Sequence, residues 1–135
     1  MSLPSKRGGD PSWPPRWHPV VVAGALWAAA AVRLARHRLK RHGLQARVPG
    51  PPPLGPGAGR GVRAALRRLE PTCLERALVE QAWLAAMGSP RDVVIGVPPE
   101  GIKDAPAHAW VDGTDQASSA NYLELHRLPP PAKRP

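Results

Sequence analysis

Pro71-Thr72-Cys73-Leu74-Glu75-Arg76-Ala77-Leu78 is the stretch on which the fold turns. Thr72 and Glu75 have the T-x-x-E spacing of a capping box, which satisfies two of the backbone donors that a helix start leaves open. Thr72 is then the cap and Cys73 the first helical residue. Leu74, Ala77, Leu78, Ala82 and Ala85 recur at helical spacing and give one apolar face. Gly88 supplies the left-handed residue that closes a helix, so a helix is expected over 73–87.

Downstream, the pattern changes from helix to strand. Asp92 to Val97 (DVVIGV) is short, apolar and rich in β-branched residues, with proline on both sides, and reads as a buried strand. Ala107 to Val111 (AHAWV) reads as a second strand. Alternation puts Ala107, Ala109 and Val111 on one face, and His108 and Trp110 on the other. Asp112-Gly113 is a turn pair. Tyr122 to His126 alternates again and is a candidate third strand. A helix followed by short strands with turn signals between them reads as α+β.

Upstream, Val20 to His42 carries no helix breaker except Gly24. Its first part, Val20 to Val32, is apolar and falls short of the ~20 residues that span a bilayer. Its second part, Arg33 to His42, is strongly basic. Three readings stay open for it: a core-packing helix, a membrane-surface helix and a membrane anchor. Residues 48–61 (VPGPPPLGPGAGRG) read as a Pro/Gly linker. Val62 to Leu69 reads as a short basic helix ended by Pro71. The division is a flexible start over 1–19, an apolar-then-basic helix over 20–47, the linker over 48–61, a compact domain over 62–128 and a disordered tail over 129–135.

The 135-residue chain carries 19 Lys and Arg against 10 Asp and Glu, a formal charge of +9. The excess lies in the first half, where Arg33–Arg47 and Arg60–Arg68 crowd together. That suggests anionic partners. The basic stretch lacks the interleaved aromatics that stack bases, so nucleic acid is not the expected partner. No cofactor and no metal are expected. The expected location is the cytoplasm, with membrane association left open by residues 20–42.

The single cysteine, Cys73, cannot form an internal disulfide. At the first turn of a helix, exposed N–H groups and the helix dipole favour an anion, so a thiol there is a candidate nucleophile. The bland alternative is a small buried side chain. His108 on the second strand is the candidate base that takes the thiol proton and later protonates the leaving group. Asp112, Asp115 and Asn121 follow His108 and are the candidates for the residue that orients the imidazole. Asp112 has the competing turn role.

P-T-C-L-E-R-A-L, then V-V-I-G-V, then A-H-A-W-V-D-G, in this order, resemble the B proteins of lasso-peptide biosynthesis. That family shares a C-L-x-R-[AS]-L helix start, a [VI]-G-V strand and an A-H-A-W-V strand. The resemblance covers residues 62–126, about half the chain. It implies a transglutaminase-like, papain-like cysteine peptidase core, with Cys73 at a helix start packed on a small antiparallel sheet and His108 as base. It implies a Cys-His-Asp triad that removes the leader from a precursor peptide. The interval from His108 to Tyr122 is shorter here than in the family, and the shortening puts the acid near Asp115. The first 60 residues do not resemble the leader-binding domain fused to some members. The implied partners are therefore the precursor peptide, a separate leader-binding protein and the ATP-dependent cyclase. Arg33 to His42 is the candidate docking surface for the leader-binding protein or for an acidic membrane. Other acyl transferases or amidases on the same fold, and a non-catalytic basic binding protein, are the competing readings.

Overall fold

A computed structural model describes residues 18–99 and 107–131. The flexible start expected over most of 1–19 and most of the expected tail lie outside the described residues.

Helix α1 (Pro19–His42) begins on the His18 imidazole, whose Nδ1 accepts from the Val20 N–H at 3.1 Å, with proline at the first position where no donor is lost. Val21, Gly24, Ala28, Ala31, Val32 and Ala35 are buried along one stripe. The stretch Pro19–Gln45 is long and apolar enough to cross a membrane by length and composition, and a third of its apolar window is buried within the chain. The core helix of a soluble protein passes the same test of length and composition. Of the basic end, Arg36 is bound to Glu75, and Arg38 donates to the Arg47 carbonyl at 2.8 Å.

Helix α2 (Gly59–Leu69) starts earlier than proline and glycine content suggests. Pro56–Ala58 form a 3-10 turn that leads straight into it. The irregular stretch thus ends at Gly55, not at Gly61. The glycines here serve close packing. A Cβ at Gly61 would collide with the Val21 carbonyl oxygen, and one at Gly24 with the Ala58 carbonyl oxygen. Both glycines let the α1 backbone approach its neighbours more closely than any side chain permits.

Helix α3 (Cys73–Ala86) has both halves of the capping box: the Thr72 Oγ1 accepts from the Glu75 N–H at 3.2 Å, and the Glu75 Oε1 accepts from the Thr72 N–H at 3.1 Å. The same Oε1 also accepts from the Arg36 Nη2 at 3.1 Å, while Oε2 accepts from the Arg36 Nε at 3.1 Å. This ties α1 to the start of α3. The helix ends in a Schellman turn, with Ser89 N–H on the Leu84 carbonyl and Gly88 N–H on the Ala85 carbonyl, and Gly88 at φ +88°. Ala77, Leu78, Val79 and Ala82 are almost wholly buried. Burial of each larger side chain contributes roughly 1.5–3 kcal/mol.

The sheet has three antiparallel strands in the order β2-β1-β3: β1 (Val93–Val97) lies between β2 (His108–Val111) and β3 (Leu123–Leu128). Gly96 faces His108 across the β1–β2 ladder. A Cβ on Gly96 would press on the Trp110 ring and on the Tyr122 Cβ, so the glycine makes room for both. β3 starts and ends later than its alternation suggests, and as an edge strand it is exposed up to Leu128. The buried Gln81 on α3 donates through Nε2 to the Arg91 and Leu128 carbonyls, both at 2.9 Å, and so fixes helix against sheet. A short helix α4 (Gln116–Asn121) fills the β2–β3 connection, for which no element was expected.

Candidate active site

α3 packs against β2, and Pro71, Cys73, Arg76, Glu80, His108 and Asp115 line one cleft of about 390 Å³ between them. The cap places Cys73 at the first helical residue, where it is half-buried. His108 opens β2. Its ring contacts Trp110 (centroids 5.6 Å apart, 24° between planes) and Tyr122 (5.1 Å), which also contact each other. The aromatic neighbours restrict how the imidazole can turn.

Asp115 caps α4: its Oδ1 accepts from the Ser118 N–H at 3.0 Å, and its Oδ2 accepts from the Ser118 Oγ–H at 2.6 Å. Ser118 Oγ lies 2.9 Å from His108 Nε2, whereas Asp115 Oδ2 is 3.9 Å from that nitrogen. The imidazole and the carboxylate are thus joined through a hydroxyl. Ser118 is buried. It was not among the residues singled out from the sequence. The spacing D-x-x-S, a cap signal in its own right, was the clue available.

The direction of this chain of bonds assigns the imidazole tautomer. A serine has one proton to give, and the charged carboxylate at 2.6 Å claims it. Ser118 Oγ is then an acceptor toward the ring and Nε2 the donor, so in the neutral ring the lone pair lies on Nδ1. A neutral imidazole with a free nitrogen in a thiol-lined cleft can act as a base. The Asp115 carboxyl is held below its ordinary range, chiefly by the Ser118 hydroxyl and next by the Ser118 N–H, with His108 adding less. It stays charged and keeps accepting from the Ser118 hydroxyl.

The other two acid candidates lie elsewhere. Asp112 Oδ2 accepts from Arg127 Nη1 at 2.9 Å, in a cluster that also holds Asp92 and Glu124. Asn121 donates to the Ala117 carbonyl at 2.7 Å. Arg76 lines the cleft and donates to the Leu66 carbonyl at 3.2 Å. Burial pushes the Glu80 carboxyl above its ordinary value, Arg76 draws it down, and Asp115 pushes it up.

No curated protein and no solved structure matches the chain significantly. The profile of the transglutaminase-like superfamily matches residues 20–127, a span that takes in α1 as well as the sheet and the cleft. With its α+β architecture, its small antiparallel sheet and a match over most of its length, the chain belongs to the transglutaminase-like superfamily.

Proposed function

We propose that the protein is a cysteine peptidase that removes the leader from a ribosomally made precursor in lasso-peptide maturation. The observation that carries the peptidase reading is the hydroxyl-bridged His108–Asp115 pair in one cleft with the helix-start thiol of Cys73. The three motif blocks around Cys73, Gly96 and His108 support the choice of substrate.

His108 Nδ1 takes the Cys73 proton as the sulfur attacks the scissile carbonyl. The tetrahedral adduct collapses to a thioester, and the imidazolium returns the proton to the leaving amine. A water molecule, deprotonated by the same nitrogen, attacks the thioester. The carboxylic acid leaves and the thiol is restored. Asp115 holds the tautomer through Ser118 and is not consumed. The partners of this reaction are the precursor, a separate leader-binding protein that delivers it, and an ATP-dependent cyclase that takes the product.

Mass spectrometry of the precursor after incubation with the protein, with and without a leader-binding partner, tests the reading. Cleavage at one bond, accelerated by the partner and lost in Cys73→Ala and His108→Ala, is expected. A supplied primary amine appearing in the product in place of water would assign an acyl transferase instead. Unchanged cleavage by Cys73→Ala would refute the thiol chemistry.

A further inference from the structure

On the side of α1 turned toward α2 lies a second, larger hollow of about 590 Å³. Val22, Leu26 and Ala29 line it from α1, and Ala64, Arg68 and Leu69 from α2. Of the α1 contributors, Val22, Leu26 and Ala29 recur at i, i+4 and i+7, a straight stripe about 10 Å long. Three of these apolar side chains are open to solvent: Leu26 at 67%, Leu69 at 42% and Val22 at 38%. Such a concentration on a domain of this size is a binding signal rather than ordinary surface.

Among the described residues the charged groups that line the hollow are arginines, Arg67 and Arg68 among them, and no carboxylate lines it. A second copy of the chain would set arginines against arginines. The apolar floor is recessed between two helices whose backbones touch at Gly61, which suits inserted side chains better than a flat lipid surface. The hollow and the cleft are linked along the chain. The hollow ends at Leu69, and Pro71 two residues on lines the cleft, with Glu70 in the left-handed region (φ +48°) turning the chain between them.

From this geometry we infer that the α1–α2 groove is the docking site for an acidic amphipathic helix of a polypeptide partner, which seats apolar side chains between Val22, Leu26 and Leu69 and sets its carboxylates against Arg67 and Arg68. This is helix-in-groove recognition with a charged rim. The groove's position next to Pro71 would bring such a partner alongside the cleft. The consequence for catalysis rests on the peptidase reading above. The binding itself does not.

The test is fluorescence anisotropy of a labelled synthetic helix of about 18 residues, with leucines at i, i+4, i+7 and i+11 and glutamates flanking them. A second peptide carries lysine in place of each glutamate. The full chain should bind the acidic peptide and not the basic one. Leu26→Asp should weaken binding at least about tenfold, as for an apolar anchor. The double variant Arg67→Glu, Arg68→Glu should lose the acidic peptide and gain the basic one, with an unchanged circular-dichroism melt. Equal binding of both peptides, or of neither, overturns the proposal. So does binding to phosphatidylglycerol-containing vesicles that is lost in the same variants while the acidic peptide fails to compete, since that would assign the groove to a membrane. Cys73 alkylation is measured in parallel and reports on the cleft separately.

Discussion

Ser118 Oγ bridges His108 Nε2, at 2.9 Å, and Asp115 Oδ2, at 2.6 Å, where the acid and the imidazole themselves stand 3.9 Å apart. Ser118→Ala should therefore lower kcat by roughly 10- to 100-fold with little change in KM, since it alters the base and not the substrate contacts. Ser118→Thr keeps the hydroxyl and should recover most of the rate. A merely structural role for Ser118 would show as a lowered melting temperature with the rate per folded molecule unchanged.

Asp115→Asn should reduce cleavage strongly, though less than His108→Ala, because the acid orients the base and is not consumed. Asp112→Asn should leave the rate near wild type, since its carboxylate serves Arg127. Steady-state kinetics of the two variants side by side decides the matter. The reverse order of damage would mean that the Ser118 bridge is not the working arrangement.

Acid should loosen the junction of α1 and α3. The Glu75 carboxyl is held below its ordinary value of 4.5, first by the Arg36 hydrogen bonds, while burial opposes the shift and the Thr72 N–H and the charges of Arg36 and Lys40 add to it. Its folded-state value lies below its unfolded one. The stability it contributes is therefore complete above pH 4.5 and is lost as the pH falls through the depressed value. Melting temperatures followed down from neutral pH should drop below this point, and Glu75→Gln should show a shallower drop. Asp115 and Glu124, also held low, leave a residual slope in that variant.

Gly61→Ala should destabilise the protein by roughly 1–3 kcal/mol, the usual cost of forcing an atom into a filled space. The added methyl meets the Val21 carbonyl oxygen, which is helix backbone and cannot swing away. Thermal unfolding measures this. A neutral result would mean that the α1–α2 contact is looser than described.

The helix start was legible because its signals are local: Thr72, Cys73 and Glu75 sit within one turn, and Gly88 closes the helix from its own end. The strands around Gly96 and His108 were legible for the same reason, through β-branched residues and alternation. Ser118 was not, because its role depends on the ring of a residue on another element. Gly61 looks like a linker residue for a related reason. Only the neighbouring helix, whose Val21 carbonyl leaves no room for a side chain, gives it its purpose. Leu123 and Leu125 alternate like residues of a half-buried strand, yet β3 lies at the sheet edge and both are exposed.

Glu75 Oε1 answers to two donors at once, the Thr72 N–H three residues before it and Arg36 thirty-nine residues before it. In the descent of such sequences, two positions are thereby yoked. A lineage that loses arginine at 36 leaves the carboxylate with only its cap to serve, and glutamine at 75 becomes an easy next step. A lineage that loses the threonine at 72 keeps the acid for the arginine's sake, and the backbone N–H at 72 still serves it. Residues 36 and 75 should accordingly drift together among close relatives, while Arg38, whose partner is a carbonyl that every residue type supplies, is free of that bond to its neighbours' identity.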